Sequence, residues 1–270
     1  MAERGGSLDS LLDLAESARI FDLAQPYFTG MPHHPNHPPF LFSLTKKHGD
    51  YTFGGVASSA AEAIALGSHV GTHMDALCHF SRDGKLHGGI EAAGAQSYDR
   101  GIEALSIDTV APILRRGVLL DIAGLEGVDV LPAEFTVTPD HLERAAARAG
   151  AHMERGDVVL LRTGWAQFWY DPARYVNQVQ GPGPALEGAR WLSARGVFAA
   201  GSDTLAFERV PSAAMPVHVH LLVESGIHII EALNLEEIAA ARVYEFLFVA
   251  LPLKIRGGTG SPVRPVALVV

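Results

Sequence analysis

The sequence predicts an α/β fold built on a mixed β-sheet. Two continuous apolar runs, residues 117–125 and 157–165, are bounded by turn residues, which is typical of strands buried on both faces. Segments with helical spacing of apolar residues alternate with such runs, at 139–154 and 184–196. Strands that alternate with helices indicate an α/β fold, and we expect a mixed rather than a purely parallel sheet.

The first forty residues predict a helix, a short strand and a proline-rich loop. Residues 7–18 place apolar side chains near helical spacing, and residues 19–28 are typical of a short strand entering a loop. Residues 31–40 contain four prolines and three histidines, so they cannot form a regular helix or a central strand. Such a segment is either a rigid surface loop or part of a pocket wall.

Further along the chain, the helix predicted over 139–154 has the clearest boundaries. Pro139 and Asp140 occupy its first turn, and Gly150 or Gly156 lies near its end. The remaining strand candidates lie at residues 197–204, at the end of a helix–turn–strand segment over 219–233, at 244–255 and within 257–270.

Length and composition predict one globular domain. The chain has 270 residues, of which 48% are hydrophobic and 19% charged, far from the composition of a disordered protein. We find no interdomain linker or repeat, and we expect a single domain over 1–270 with residues 1–18 as an N-terminal helix extension.

Charge and cysteine content limit the expected partners and compartment. The net charge of −9 gives no basic footprint for nucleic acid or for an anionic membrane, and no run of about 18 apolar residues could span a bilayer. The N-terminus lacks the apolar stretch of a signal peptide. A single cysteine, Cys78, excludes an internal disulfide and a multi-cysteine zinc site. We therefore expect a cytoplasmic protein that binds neither nucleic acid nor membranes.

Four residues with metal-binding side chains lie close together in the segment GSHVGTHMDALCHF, residues 67–80. They are His69, His73, Asp75 and His79. Imidazole nitrogen and carboxylate oxygen are ligands for zinc, manganese or iron, and three such ligands with an open position make a catalytic site. The cluster therefore predicts a metal site, although a single histidine of this kind is usually structural.

The spacing within this segment predicts a tight loop that runs into a strand. His69 and His73 are four residues apart, as in the helical HExxH motif, but Gly71 and Thr72 between them disfavour a helix. On a strand, Asp75 shares a face with His73, because residues two apart point the same way. The neighbouring Cys78 is a poor candidate nucleophile, because its side chain and that of the adjacent histidine diverge on a strand.

A second cluster of candidate ligands lies in PVHVHLLVESGIHIIEALNL, residues 216–235. His218, His220 and His228 precede Glu231 in an otherwise apolar segment. A buried Glu231 carboxylate requires a metal, a cation or a hydrogen-bond donor as partner. The alternative is an exposed glutamate at the end of a strand.

The segment HVGTHMDALCHF resembles the HxGTHxDxPxHF signature of the cyclase-like metal-dependent hydrolases, a family that includes kynurenine formamidase and isatin hydrolase. Within this signature Leu77 departs from the proline of many members. The resemblance extends to further segments of the chain, namely RIFDLAQPYFTGMP, RGVLLDIAG, GDVVLLRTGW, GSDTLAFE and PVHVHLLVESGIHIIEALNL.

The resemblance implies a β-barrel-like core flanked by helices, of the swivelling β/β/α type, in a homodimer or higher homo-oligomer. It also implies a hydrolase that cleaves the C–N acyl bond of a small amide, lactam or imide by metal-activated water. One or two divalent ions, Zn²⁺ or Mn²⁺, would be the cofactor. An aryl formamidase acting on N-formylkynurenine and a non-catalytic metal-binding protein are the alternatives.

The same resemblance implies roles for individual residues. His69, His73 and Asp75 would hold a first metal, and Asp75 would bridge to a second one. Glu231 resembles the carboxylate ligand of the second metal, and His79 the general acid and base.

The histidine that accompanies Glu231 is open between two positions. The PVHxxLL pattern favours His218, while His220 competes because the spacing to the following glycine varies in the family. The strand phase of His228 differs from that of Glu231, so we do not expect it to be a ligand.

One departure from the family pattern bears on the substrate. His34 stands where the kynurenine formamidases carry a tryptophan, which disfavours N-formylkynurenine and favours an isatin hydrolase-like activity. We expect His34, Phe40 and Trp165 to contact the substrate, with Trp169 as a further aromatic candidate, although each of these aromatics taken singly is more typical of a core.

Overall fold

The computed structural model describes residues 8–270, so the first seven residues of the predicted 1–18 extension lie outside the described part. The segment predicted as an N-terminal helix forms α1, and no helix within 8–270 is long and apolar enough to cross a membrane. The α-helices are α1 (Leu8–Ser17), α2 (Ala92–Ala95), α3 (Ile122–Glu126), α4 (Pro139–Ala149), α5 (Pro172–Val176), α6 (Leu186–Ala194), α7 (Pro216–His218) and α8 (Glu236–Ala240).

The rest of the regular structure consists of short strands, a π-helical segment at Val219–Ser225 and 3₁₀-helical turns at His87–Gly89, Ile107–Thr109 and Trp165–Phe168. The strands are β1 (Arg19–Asp22), β2 (Leu41–Lys46), β3 (Thr52–Phe53), β4 (Ala57–Ser58), β5 (Ala61–Ala65), β6 (His73–Asp75), β7 (Gln96–Ser97), β8 (Gly101–Ile102), β9 (Ile113–Asp121), β10 (Thr136–Val137), β11 (Val158–Arg162), β12 (Gly183–Pro184), β13 (Ala199–Ser202), β14 (His228–Glu231), β15 (Glu245–Ala250), β16 (Gly260–Pro262) and β17 (Val266–Val269).

Nine of these strands form one curled, half-barrel sheet in the order β1-β17-β15-β9-β11-β13-β14-β6-β16. The four central strands β9, β11, β13 and β14 are parallel. The strands on either side of them, from β15 to β1 and from β6 to β16, pair antiparallel. The predicted mixed α/β fold with a barrel-like sheet flanked by helices is therefore confirmed.

The sheet is buried on both faces by two separate apolar cores. Alternate residues of the central strands point into different cores, as Leu119 and Leu160 do on one face and Val118 and Val159 on the other. All four are 0% exposed. This explains why these strands are continuous apolar runs in the sequence, since each residue contributes to one core or the other.

Helix α4 packs on one of these faces and ends earlier than predicted. The Thr138 hydroxyl caps its first turn, Pro139 starts it, and Gly150 ends it in a left-handed conformation with φ +64°. Of the two glycines considered as ends, Gly150 is the one that terminates the helix, because a glycine adopts positive φ without a side-chain clash.

A hairpin that the sequence analysis did not predict projects between residues 41 and 65. Strands β2 and β5 pair antiparallel, and the side chains of both faces are largely exposed. Leu41, Phe42 and Ile64 are 47–55% exposed. The segment escaped prediction because its apolar residues neither alternate strictly nor form a continuous run.

Candidate metal centre

The segment that carries His69 and His73 is a tight turn shaped around Tyr27. Gly71 has φ +68°, and a Cβ atom at this position would lie 1.6 Å from Cε1 of Tyr27. The Tyr27 hydroxyl donates to the carbonyl oxygens of Val70 at 3.0 Å and Thr72 at 2.8 Å. Only glycine fits beneath the ring, so the turn holds the two histidines in a fixed relation.

The sheet then brings the two predicted clusters together. As predicted, the turn runs into a strand, β6, which lies between β14 and β16. His73 lies opposite Glu231 in the antiparallel ladder of β6 and β14, and Asp75 lies opposite Gly260 of β16. Residues 73 and 231 are far apart in sequence, and the backbone hydrogen bonds of this ladder set their separation.

Two buried polar atoms at the centre of the cluster have no hydrogen-bond partner, His73 Nε2 and Asp75 Oδ2. His73 Nε2 lies 3.6 Å from Asp75 Oδ1 and 3.4 Å from Glu231 Oε2. Buried polar atoms without partners are uncommon and costly. A divalent cation would satisfy both atoms, so the residues present fit a metal ion.

The donor atoms form two overlapping groups that could each hold an ion. One consists of His69, Asp75 and His79, and the other of Asp75, His218 and Glu231, with the donor atoms of each group within 4.8 Å of one another. Asp75 belongs to both, the position expected of a bridging ligand. His79 lies within the first group, whereas the sequence analysis gave it a purely catalytic role.

His69 already has partners on both ring nitrogens. Its Nδ1 lies 2.7 Å from Asp75 Oδ1, and its Nε2 lies 2.9 Å from the hydroxyl oxygen of Thr259. Binding an ion through His69 therefore requires it to give up one of these hydrogen bonds.

Of the two histidines left open, His218 lies at the site and His220 does not. His218 Nε2 is 3.1 Å from Glu231 Oε1, while His220 contacts Ser193 and Glu224 away from the cluster. His228 also lies outside the ligand groups, because its Nδ1 donates to the backbone carbonyl of Asp75 at 2.9 Å.

The sequence analysis missed one buried carboxylate, Glu208, which is 1% exposed. Its Oε2 lies 2.6 Å from His218 Nδ1 and accepts the backbone N–H of His218 at 3.1 Å. A histidine that binds a metal usually donates its other ring N–H to such a carboxylate. The available signal was a glutamate at the end of the segment GSDTLAFE, only ten residues before His218.

Burial and charge shift the pKa values of the cluster in opposite directions. Burial alone raises the pKa of Glu231, but its contacts with His218 and His73 outweigh burial and lower the value to about 2. Burial alone lowers the pKa of His218, and hydrogen bonds to Glu208 and Glu231 raise it to about 10. Without an ion, His218 is therefore a cation between two carboxylates.

The other groups of the cluster are perturbed for the same reasons. Burial disfavours a charged His73, yet the carboxylates of Glu231 and Asp75 outweigh it and raise the pKa of His73. Burial likewise disfavours ionised Asp75, but the neighbouring His79 and His69 bring its pKa far below the usual value. Burial lowers the pKa of His79 to about 3, so this imidazole is neutral at physiological pH.

The cluster lies at one end of a cavity of about 500 Å³. At this end the lining residues are His69, His73, His79, His218 and Glu231. Along the wall they include His34, His37, Gln178, Val179, Leu205 and Met215. A hollow of this size that combines apolar side chains with polar groups is typical of small-molecule sites.

Of the three residues expected to contact the substrate, only His34 lines this cavity. Phe40 and Trp165 belong to a neighbouring apolar cluster. The ring of Phe40 stacks on Tyr27 with centroids 5.7 Å apart, and Trp165 Nε1 donates to the carbonyl of Tyr175 at 2.9 Å. Both aromatics therefore support the loops behind the cavity.

Comparison with known proteins agrees with this geometry. The family described as "Putative cyclase" matches residues 21–209, which is more than half of the chain. The chain belongs to the cyclase family. The fold and the family resemblance inferred from the sequence are thereby confirmed.

Named relatives of this cyclase-family chain include two kinds of hydrolase. Isatin hydrolase of Roseibium aggregatum is 26% identical over 215 residues, covering 76% of this chain and 73% of the relative. Kynurenine formamidase of Bacillus cereus is 25% identical over 254 residues, covering 93% and 98%. A crystal structure of a novel cyclase superposes with a TM-score of 0.85 at 30% identity, covering 98% of this chain and 91% of that one.

Proposed function

We propose that this protein is a metal-dependent amidohydrolase that cleaves the C–N acyl bond of a small amide, lactam or imide, as isatin hydrolase does. The observation that carries the proposal is the pair of partnerless buried atoms His73 Nε2 and Asp75 Oδ2, of which His73 lines the cavity. Hydrolases among the named relatives support the same reaction class.

For one ion the ligands would be His69, His73 and Asp75, since His69 Nδ1 and His73 Nε2 lie 2.7 Å and 3.6 Å from Asp75 Oδ1. The other ion would be held by Asp75, His218 and Glu231, whose donor atoms lie within 4.8 Å of one another. A divalent ion in such a site supplies Lewis acidity toward water and toward a carbonyl oxygen. Nitrogen and oxygen donors suit both Zn²⁺ and Mn²⁺, so we propose either metal. Elemental analysis of the purified protein identifies which one is bound.

His79 is positioned to move protons in this reaction. Its ring stacks on His69 with centroids 3.8 Å apart and lines the cavity. A neutral imidazole can take a proton from the attacking water and return it to the leaving nitrogen. Glu208 holds the Nδ1 side of His218, which leaves Nε2 directed at Glu231 and the cavity.

The test compares His79→Ala with His73→Ala for metal content and turnover of isatin. We expect His79→Ala to keep its metal while the rate falls about 10²–10⁴-fold, and His73→Ala to lose metal and activity together. His220→Ala, outside the cavity, is the control. If His79→Ala empties the site, His79 is a ligand of the His69–Asp75 group instead. If the metal-loaded wild type hydrolyses no amide, the proposal fails.

An aryl formamidase is the second candidate, because kynurenine formamidase relatives match 93% of the chain. Turnover of N-formylkynurenine and isatin by the same metal-loaded preparation distinguishes the two activities. The His34 side chain in the cavity wall favours isatin or a related cyclic amide, since it supplies no aromatic indole surface for an aryl ketone.

We also propose that the chain works as a homodimer or higher homo-oligomer, with the hairpin of β2 and β5 as the contact to a second copy. A two-stranded hairpin exposed on both faces is marginal alone, and its exposed apolar residues are typical of an interface. Light scattering should give at least a dimer, and Phe42→Ser with Ile64→Ser should give a monomer. A monomeric wild type contradicts this assignment.

A further inference from the structure

The cavity wall away from the ligand cluster carries no permanent charge. Glu231, at the ligand end, is the one carboxylate among the described lining residues, and no lysine or arginine lines the cavity. The polar groups of the wall are imidazoles, the amides of Asn36 and Gln178 and the hydroxyl of Ser212. A carboxylate on the remote part of a substrate would therefore lose its hydration without gaining a partner.

One imidazole of this wall, His37, is free to bind a ligand. Its ring nitrogens make no hydrogen bond with any residue of 8–270, whereas His34 Nδ1 already accepts the backbone N–H of Asn36 at 3.1 Å. The His37 ring lies 5.2 Å from the ring of His69 and 6.4 Å from that of His79. A group that meets His37 must adjoin the bond that is cleaved.

The loop that carries His37 is fixed before any ligand binds. The backbone N–H of His37 donates to the carbonyl of His34 at 2.9 Å, and that of Gly67 donates to the carbonyl of Pro38 at 3.2 Å. Pro38 and Pro39 follow directly and restrict the backbone. A preorganised hydrogen-bonding group loses little conformational entropy on binding.

We propose that His37 is a specificity-determining residue: its imidazole N–H donates to a hydrogen-bond acceptor of the substrate beside the cleaved amide, and the uncharged wall selects neutral rings over rings bearing a carboxylate. The substrate class is then a neutral lactam or imide with an acceptor atom next to the cleaved bond. This inference rests on the proposed amide hydrolysis at the ligand end.

The test uses isatin and isatin-5-carboxylate, two cyclic amides that differ by one carboxylate. We expect the wild type to prefer isatin. His37→Phe keeps the ring but removes the donor and should raise KM for isatin about 3–10-fold with little change in kcat, while His37→Gln should retain most of the binding. His37→Lys should move the ratio of kcat/KM at least about 10-fold toward the carboxylate.

A matched control lies on the same loop. His33 lines a separate surface hollow with Pro172 and Val176, so His33→Lys should leave the ratio unchanged. A KM for isatin that His37→Phe does not change overturns the role of His37. If His33→Lys shifts the ratio of kcat/KM values for the two compounds as much as His37→Lys does, the selectivity does not originate at His37 and the inference is overturned.

Binding measurements separate this inference from the proposed reaction. In the metal-loaded His79→Ala background, where we expect turnover to be about 10²–10⁴-fold slower, calorimetry gives the Kd of each ring compound. Suppose that the wild type opens neither ring, but isatin still binds more tightly than isatin-5-carboxylate and His37→Lys reverses this order. The proposed reaction then fails and the inference stands. If hydrolysis occurs but both rings bind equally in every variant, the inference fails and the reaction stands.

Discussion

Replacing Glu208 by glutamine should weaken metal binding while leaving the fold intact. Glu208 lies 2.6 Å from His218 Nδ1, and the carboxylate charge both orients the imidazole and increases its basicity toward an ion at Nε2. Glutamine keeps the size of the side chain and loses that charge. Loss of such a partner typically weakens metal binding 10–100-fold, which is about 1.4–2.7 kcal/mol.

Competition with a chromophoric chelator measures the Kd for Zn²⁺ in wild type and Glu208→Gln. The chain offers a matched control, because Glu224 Oε2 lies 2.7 Å from His220 Nδ1 in a second glutamate–histidine pair outside the cavity. Glu224→Gln should bind zinc as the wild type does. Equal affinity of Glu208→Gln and wild type, with unchanged circular dichroism, would refute the reasoning.

Three further predictions concern stability. Gly71→Ala should lower the free energy of unfolding by about 3 kcal/mol or more, because its Cβ displaces the Tyr27 ring and breaks two hydrogen bonds; an unchanged urea midpoint would contradict this. In metal-free protein the pKa of His218 is raised to about 10, so its protonated imidazole stabilises the fold fully below pH 6.5, and this contribution is lost as the pH rises toward 10. Denaturant titrations should therefore give a higher free energy of unfolding at pH 6 than at pH 9.5. Zinc at 100 times its Kd should raise the free energy of unfolding by about 2.7 kcal/mol, since it would bind the unpartnered atoms of His73 and Asp75. A melting temperature that is the same with and without zinc would argue against a site here.

The sequence was sufficient for the parts of the fold with strong local signals. The buried central strands and α4 follow from apolar periodicity and from the capping residues Thr138 and Pro139. The hairpin at 41–65 was missed because its strands bury neither face and so show no pattern. The early end of α4 depended on which of two glycines stops the helix; both adopt positive φ, and the sequence left the choice open.

The candidate site was predictable where its residues are close in sequence, as His69 to His79 are. The choice of His218 over His220 depended on helix phase in a π-helical segment, which a period of 3.6 residues does not describe. Glu208 was missed although it lies only ten residues before His218, because its contact with that histidine is fixed by tertiary packing. Phe40 and Trp165 were assigned to the pocket by residue type, whereas their packing directions place them behind it.

The candidate ligands His73 and Glu231 lie on neighbouring strands, whereas much of the cavity wall lies on loops. The candidate ligands His73, Asp75 and Glu231 lie in a hydrogen-bonded ladder, where a shift of one residue would turn every side chain to the opposite face. The surfaces that meet the remainder of the substrate come instead from connecting segments, such as 31–40 and 177–179. Exchanging those segments between homologues should change which molecules are bound and leave the candidate ligands in place.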